Sequence, residues 1–452
     1  MEFMNNKSPQ LKLLLNRLFY KLEKGSVKYC VIGNYKSLPE YTSNDVDFWV
    51  SDIRKAEEIL LESARKVGLS LYMQNKTANG TNNYFYDPSS KGVEIVKIDL
   101  MTETAYKSIF PIVSSNLIAN NIEEYNGFNV ANETIEGVMH LLYPLVAFGI
   151  VKDKYKDKLL ILADDNLFRE QVLSILGVEL GQSILNNLKK GDWKVVGHNY
   201  KKVRRYLIFR TFIKIDFKRL MTFSSFFSSI VKRVFSKNGI VVSFTGIDGA
   251  GKTSIKEYLM KNSDKYFSKN RRVEFYWRPF LLPRLSKLVK MEGQKEVYNE
   301  SGRRLVSQNK ASIFKGMIKY CYYVLDFIFG KIKYFKESHT GGLVIFDRYH
   351  FDNIVYPERF GFIINKGLMR FMDKFIIPQP DILFYFTADA LVLYERKHEI
   401  DIDVINAQKR MYSEEINLRK NVITIDTGVT FDESVGNVLK ECFRIMSKRY
   451  EN

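Results

Sequence analysis

Gly246-Ile247-Asp248-Gly249-Ala250-Gly251-Lys252-Thr253 decides how the carboxyl-terminal half of this chain folds. The octet spells G-x-x-x-x-G-K-[ST]. It stands between an apolar β-rich run, Ile240 to Phe244, and a helical stretch, Ser254 to Met260. Strand, glycine loop and helix in that order make a phosphate cradle. Glycines let backbone N–H groups converge on phosphate oxygens, and the helix turns its positive N-terminus toward the same charge. Gly246, Gly249, Ala250, Gly251, Lys252 and Thr253 are therefore expected to hold ATP. Lys252 would reach the β- and γ-phosphates, and the Thr253 hydroxyl would ligate Mg²⁺. The alternative is a glycine turn that binds no nucleotide.

Outward from the octet, Val273 to Tyr276, Leu343 to Phe346, Ile382 to Phe386 and Val422 to Ile425 read as strands separated by helical segments. That alternation predicts an α/β domain with a parallel sheet, over 239–452. Asn238-Gly239 ends a preceding amphipathic helix, in which Phe223, Phe226, Phe227, Ile230, Val231, Val234 and Phe235 share a face and Lys232 and Arg233 lie elsewhere. Such a helix docks on a domain or lies on a membrane.

A chain of 452 residues, with roughly 100–200 per domain, predicts two or three domains. Its 46% hydrophobic and 27% charged content is globular, not disordered. Cys30, Cys321 and Cys442 lie far apart among apolar neighbours, which argues against a disulfide framework or zinc cluster and fits a reducing cytoplasm. MEFMNNKSPQ is not a basic-then-apolar leader, and nowhere do about 18 uncharged apolar residues run together, so neither a secretion signal nor a transmembrane helix is expected. The net charge of +18 is concentrated. Lys189 to Gly239 holds fourteen Lys or Arg against Asp192 and Asp216, a local net of +12. That stretch is either a solvated linker or an attractor of phosphates, anionic lipid or nucleic acid. It has no recognised nucleic-acid reader motif, so nucleic acid is not the expected partner.

The amino-terminal part reads as a second α/β domain over 1–130. Leu11 to Leu22 and Ile53 to Val67 are helical, and Tyr29 to Ile32, Val46 to Val50, Leu69 to Met73, Tyr84 to Tyr86 and Val93 to Leu100 are strands. Asn79-Gly80-Thr81-Asn82-Asn83 reads as turn material. Helical spacing through Ile135, Val138, Leu141, Leu142 and Leu145 begins a helical appendage with a basic linker, over 131–238.

The octet resembles the P-loop of thymidylate kinases. Leu343-Val344-Ile345-Phe346-Asp347-Arg348-Tyr349 resembles their apolar strand ending in Asp-Arg-Tyr, and Pro380-Asp381 resembles a third landmark, in the same order. The resemblance covers about Ile240 to Arg449. It implies a P-loop NTPase sheet flanked by helices, with Asp347 serving the metal, Arg348 the acceptor's phosphate, and Asp248 facing the acceptor. It also implies a basic lid, for which Arg396, Lys397, Lys409 and Arg410 are candidates, Arg396 and Arg410 foremost as catalytic charges. The family's Glu-Pro-Gly-Gly loop and Ser-x-x-Ala-Tyr-Gln run are absent. Tyr276-Trp277-Arg278-Pro279 and His350 to Arg359 stand in their places. The phosphate-handling half is kept and the base-reading half rewritten, so dTMP is not the expected acceptor. Trp277 is either core or, with Arg278, a clamp for an anionic acceptor. The substituted segments resemble a divergent branch associated with bacterial surface-polysaccharide gene clusters, which implies a sugar, glycan end or lipid-linked acceptor. It also leaves open contact at the inner membrane face.

Gly33-Asn34, Asp45-Val46-Asp47 at a strand start and Asp99 in a later strand resemble DNA polymerase β-type nucleotidyltransferases. Two acids two apart on a strand point the same way, and a third on a neighbour can complete an oxygen cage for Mg²⁺. Asp45 and Asp47 are otherwise turn-edge acids, or remnants of a fold kept for binding. The expectation is an ATP-dependent phosphotransferase joined to a nucleotidyltransferase-like domain. Its rival is a scaffold switched by ATP, with the basic segment holding membrane or nucleic acid.

Overall fold

Each half of the chain is organised by its own sheet. The computed structural model describes residues 9–42, 45–213, 217–283, 310–357, 360, 362, 364–398 and 401–451. The chain divides into two compact units, Met1–Val234 and Phe235–Asn452.

In the amino-terminal unit the strands are β1 (Tyr29–Ile32), β2 (Val46–Val50), β3 (Ser70–Lys76), β4 (Gly80–Tyr86), β5 (Ile95–Met101), β6 (Thr104–Tyr106), β7 (Phe110–Val113), β8 (Ile122–Tyr125) and β9 (Phe128–Ala131). β6 and β7 form a hairpin, and the others form one mixed sheet in the order β3-β4-β5-β2-β1-β9-β8. Helix Pro9–Lys24 buries Leu11, Leu14, Leu15, Leu18 and Leu22, the i, i+3, i+4 stripe of an amphipathic helix, in a core with Val31, Phe48 and Leu60. Each such leucine contributes roughly 1.5–3 kcal/mol over an exposed one. A second core joins Cys30 and Trp49 to the helices after 131, through Leu141, Leu142, Phe168, Ile184 and Leu207. Asn132 starts helix Glu133–Phe148 by accepting from Ile135 N at 3.0 Å, and Gly149, at φ 75°, ends it.

One expectation is corrected here. Only Asn79 of the stretch Asn79-Gly80-Thr81-Asn82-Asn83 lies in the turn between β3 and β4; the other four are strand, because β4 begins at Gly80, which pairs with Met101. A Cβ at Gly80 would meet the Leu100 carbonyl oxygen at 2.4 Å, so glycine is there for close backbone approach. Asn83 donates to the Ile98 carbonyl at 3.1 Å, and Asn82 donates to Asp99.

The carboxyl-terminal unit carries β10 (Ile240–Gly246), β11 (Arg272–Tyr276), β12 (Leu343–Asp347), β13 (Ile382–Thr387) and β14 (Val422–Asp426). Every pairing is parallel, in the order β11-β12-β10-β13-β14, with helices between successive strands. β10 is buried along its whole length, as the central strand of a covered parallel sheet must be. With β11 and β12 on one side of β10 and β13 and β14 on the other, the strand order switches direction about β10. A crevice opens at such a switch point, outside the carboxyl ends of the strands. No described helix is long and apolar enough to cross a membrane, and Cys30, Cys321 and Cys442 are free thiols.

Candidate active site

Beyond the carboxyl end of β10 the chain enters the glycine loop. Gly246 (φ 134°) lies so close to β13 that a Cβ would meet the Phe386 carbonyl oxygen at 2.3 Å. Gly251, at φ 73°, turns the chain into helix Lys252–Asn262. That helix's N-terminus therefore faces a cavity of about 560 Å³, lined by Asp248, Gly249, Gly251, Lys252, Thr253 and Ser254 from the loop and helix. Other strand ends complete it: Tyr276 from β11, Asp347 and Arg348 from β12, Thr427 and Val429 after β14, with Phe431 and Ser434 of helix Phe431–Ser447 and Arg396 and Lys397. The volume falls within the range of small-ligand sites, about 300–1,000 Å³.

Lys252 is buried and folds over the loop, donating to the carbonyls of Gly246 (2.9 Å) and Ile247 (2.7 Å). Burial, and secondarily the Arg348 charge, lowers its pKa to about 8. Thr253 is exposed to the cavity. At the end of β12, Asp347 accepts from Lys256 at 3.1 Å. The next residue, Arg348, takes φ 70°, a left-handed conformation unusual for arginine. Its side chain is held at both ends. Nη2 donates to Asp248 at 2.6 Å and Nη1 to Asp352 at 3.0 Å. Asp352, only 1% exposed, also accepts from Thr245 Oγ1 (2.8 Å), Tyr412 OH (3.0 Å) and the Tyr349 backbone (3.1 Å). This buried carboxylate fixes the arginine that lines the cavity. On the opposite wall Arg396 donates to Thr427 Oγ1 (3.2 Å) and the Thr427 carbonyl (2.6 Å).

The cavity thus gathers Asp248, Gly249, Gly251, Lys252, Thr253, Asp347, Arg348, Arg396 and Lys397 of the residues singled out from the sequence. Gly246, Ala250, Trp277, Arg278, Lys409 and Arg410 do not line it. Ala250 is buried behind the loop. Arg410 is exposed on helix Ile402–Ile416 and does not line the cavity; its neighbour Lys409 is tied to the Ala388 carbonyl at 2.8 Å. Arg278 is corrected outright: it is 1% exposed and donates to the fully buried Asp326 at 2.6 Å. Trp277, at φ 67°, turns into the core, stacking on Phe360 and donating to Asn353 at 2.7 Å. Of that segment Tyr276, 55% exposed, faces the cavity instead. Glu358 and Arg359 lie outside the described residues. Thr245, Asp352, Tyr412 and Thr427 were not singled out as functional from the sequence; the position of Thr427, just past an apolar strand, is the local signal that could have marked it.

In the amino-terminal unit β2 and β5 run parallel with Asp47 opposite Asp99. Burial, and then the charge of Asp45, pushes the Asp47 carboxyl up to about 7. Burial and the Asp47 charge raise Asp99 as well. Asp45 turns instead toward Lys97, 3.6 Å away. Among the described residues no group of three or more His, Cys, Asp or Glu is arranged to hold a metal, so the expected three-acid cage is not formed. Gly33 (φ 66°) and Asn34 (φ 50°) both adopt the left-handed turn. A Cβ on Gly33 would lie 3.4 Å from His140 Nε2. His140 stacks on Tyr155, and burial, with the nearby Lys158 charge, lowers its pKa to about 3.

Neither family models nor curated proteins match the chain. Among solved structures, the chain is similar to a thymidylate kinase from Ehrlichia chaffeensis, with 18% identity and a TM-score of 0.29, over 46% of this chain and 99% of that one.

Proposed function

We propose that the carboxyl-terminal unit is an ATP-dependent phosphotransferase of the thymidylate kinase-like type, acting on an anionic or sugar-like acceptor other than dTMP. One observation carries this: at the switch point of a parallel sheet, a glycine cradle with Lys252 and Thr253 shares one cavity with Asp347 and the Arg348–Asp248 pair. The cradle fits a triphosphate, because buried Lys252 bonds only loop carbonyls and can exchange them for phosphate oxygens. Thr253 and Asp347 are the oxygen donors for Mg²⁺, which when bound neutralises charge as the phosphoryl group moves. Val429 and Phe431 supply an apolar wall for a base. Arg348, held between two carboxylates, offers its face to an anionic acceptor and withstands the charge developing in transfer. Arg396 supplies a second positive charge from the opposite wall. In the transfer the acceptor oxygen bonds the γ-phosphorus while the β–γ bridge breaks, leaving ADP; from an acceptor hydroxyl the proton would pass to a carboxylate such as Asp248.

A second reading concerns the amino-terminal unit. The facing Asp47 and Asp99 carboxylates, beside a glycine turn, suit nucleotidyl transfer more than structure, since two acids held together at a raised pKa oppose folding. The assay for the first reading offers Mg²⁺, γ-labelled ATP and a panel of dTMP, other nucleoside monophosphates, sugars and lipid-linked glycans. Label on a sugar or glycan is the expected result. Label on dTMP contradicts the changed acceptor, and slow hydrolysis indifferent to every acceptor supports an ATP-switched scaffold instead.

A further inference from the structure

Helix Phe217–Phe235 exposes large apolar side chains along one face. Leu220, Phe227 and Val231 recur at spacings of seven and four, so they fall on one face of the helix. They are 55%, 64% and 55% exposed. The protected side is mixed: Ser229, 8% exposed, donates to the Phe226 carbonyl, and Thr222, Phe223 and Phe226 are half-buried beside it. The helix is anchored to its own unit by the bidentate Arg219–Glu103 pair, at 2.7 and 3.1 Å, and by the stacking of Phe223 on Phe212. With that side already packed, the helix leaves the face that carries Leu220, Phe227 and Val231 outward and available for binding.

Charge identifies what covers it. The helix sequence contains no Asp or Glu. The preceding helix, Tyr200–Ile213, has none either, and it exposes Lys201, Lys202 and Arg205, with Phe212 and Ile213 exposed at its end; Lys232 is exposed on the second helix. Cations beside an outward apolar stripe suit a surface that is apolar within and anionic at its boundary. A protein groove would need only the first property, and nucleic acid only the second. We propose that this helix lies in the interface of an anionic lipid bilayer, its Leu220, Phe227 and Val231 stripe among the acyl chains and its lysines at the headgroups. The inference is independent of the kinase reading.

The test is co-sedimentation of the full chain with vesicles of phosphatidylcholine alone or mixed with phosphatidylglycerol. Binding to the mixed vesicles that weakens as salt is raised is expected. The Phe227→Ser/Val231→Ser variant should partition at least about tenfold more weakly, since both side chains would leave the acyl boundary. Ile161→Ser, at a residue 77% exposed on another helix, should partition as the parent does. Both variants alter exposed side chains, and unchanged circular dichroism would confirm that they fold. No binding to anionic vesicles would overturn the proposal. So would equal binding by the double variant, or a self-association that the double variant abolishes, which would make a second copy the occupant.

Discussion

Asp352→Asn is the perturbation that most directly probes how the cavity is held together. Asp352 is buried and accepts four hydrogen bonds, three of them on the oxygen that meets Thr245, Arg348 and Tyr412. Asparagine keeps the shape but removes the charge, and its NH₂ must oppose at least one existing donor. Removing one partner of a buried ion pair costs about 3–5 kcal/mol. Arg348 retains Asp248 at 2.6 Å, and Asp248 is itself about one-third exposed, so the cost falls below that range, to roughly 2–3 kcal/mol. For a unit of this size that is a fall in Tm of roughly 5–10 °C. Because Arg348 loses one of its two anchors, acceptor-dependent kcat/KM should fall roughly 10–100-fold. ATP affinity should change little, because Asp352 does not line the cavity. Calorimetry of the full chain and single-turnover transfer measure these separately. A variant with Tm within about 2 °C and turnover within about twofold of the parent would refute the view that Asp352 positions Arg348.

Asp326→Asn breaks the other buried pair and should cost a similar ~3–5 kcal/mol, while activity per folded molecule, measured well below Tm, stays unchanged because Arg278 is outside the cavity. For Asp47 the folded pKa, about 7, lies above its unfolded value of about 3.9, so the protonated group's contribution to stability is present below pH 4 and lost as pH rises through about 7. Asp47→Asn should therefore gain Tm over the parent increasingly from pH 4 to 7 and then level off. Tm–pH curves that run parallel would contradict the raised pKa. The same variant should lose any nucleotidyl transfer and keep phosphoryl transfer.

The glycine loop and the parallel strands around it were legible because their signals are local: an apolar run, an octet, a helix. Asp347 and Arg348 were marked by the resemblance of their strand end to the thymidylate kinase pattern, not by local periodicity. What was not legible depends on distant partners. Arg278 looks like a clamp until Asp326, 48 positions away, takes it into the core. The role of Asp352 appears only when Thr245 and Tyr412, 107 and 60 positions away, meet on its carboxylate. Gly80-Thr81-Asn82-Asn83 has the composition of a turn, but pairing along β5, from Gly80 with Met101 onward, outweighs that local preference. For helix Phe217–Phe235 periodicity revealed an apolar face but not how packing divides it: Phe223 and Phe226 are half-buried, while Phe227, Ile230 and Val231 are exposed.

The central claim, that the carboxyl-terminal unit moves a phosphoryl group through the cradle around Lys252, is tested most directly by Lys252→Ala. The measurement is acceptor-dependent transfer from γ-labelled ATP at saturating Mg²⁺, parent against variant. Loss of the cation that meets the β- and γ-phosphates should lower transfer by at least about 100-fold with the fold intact. Parent-like turnover in the variant would contradict the account.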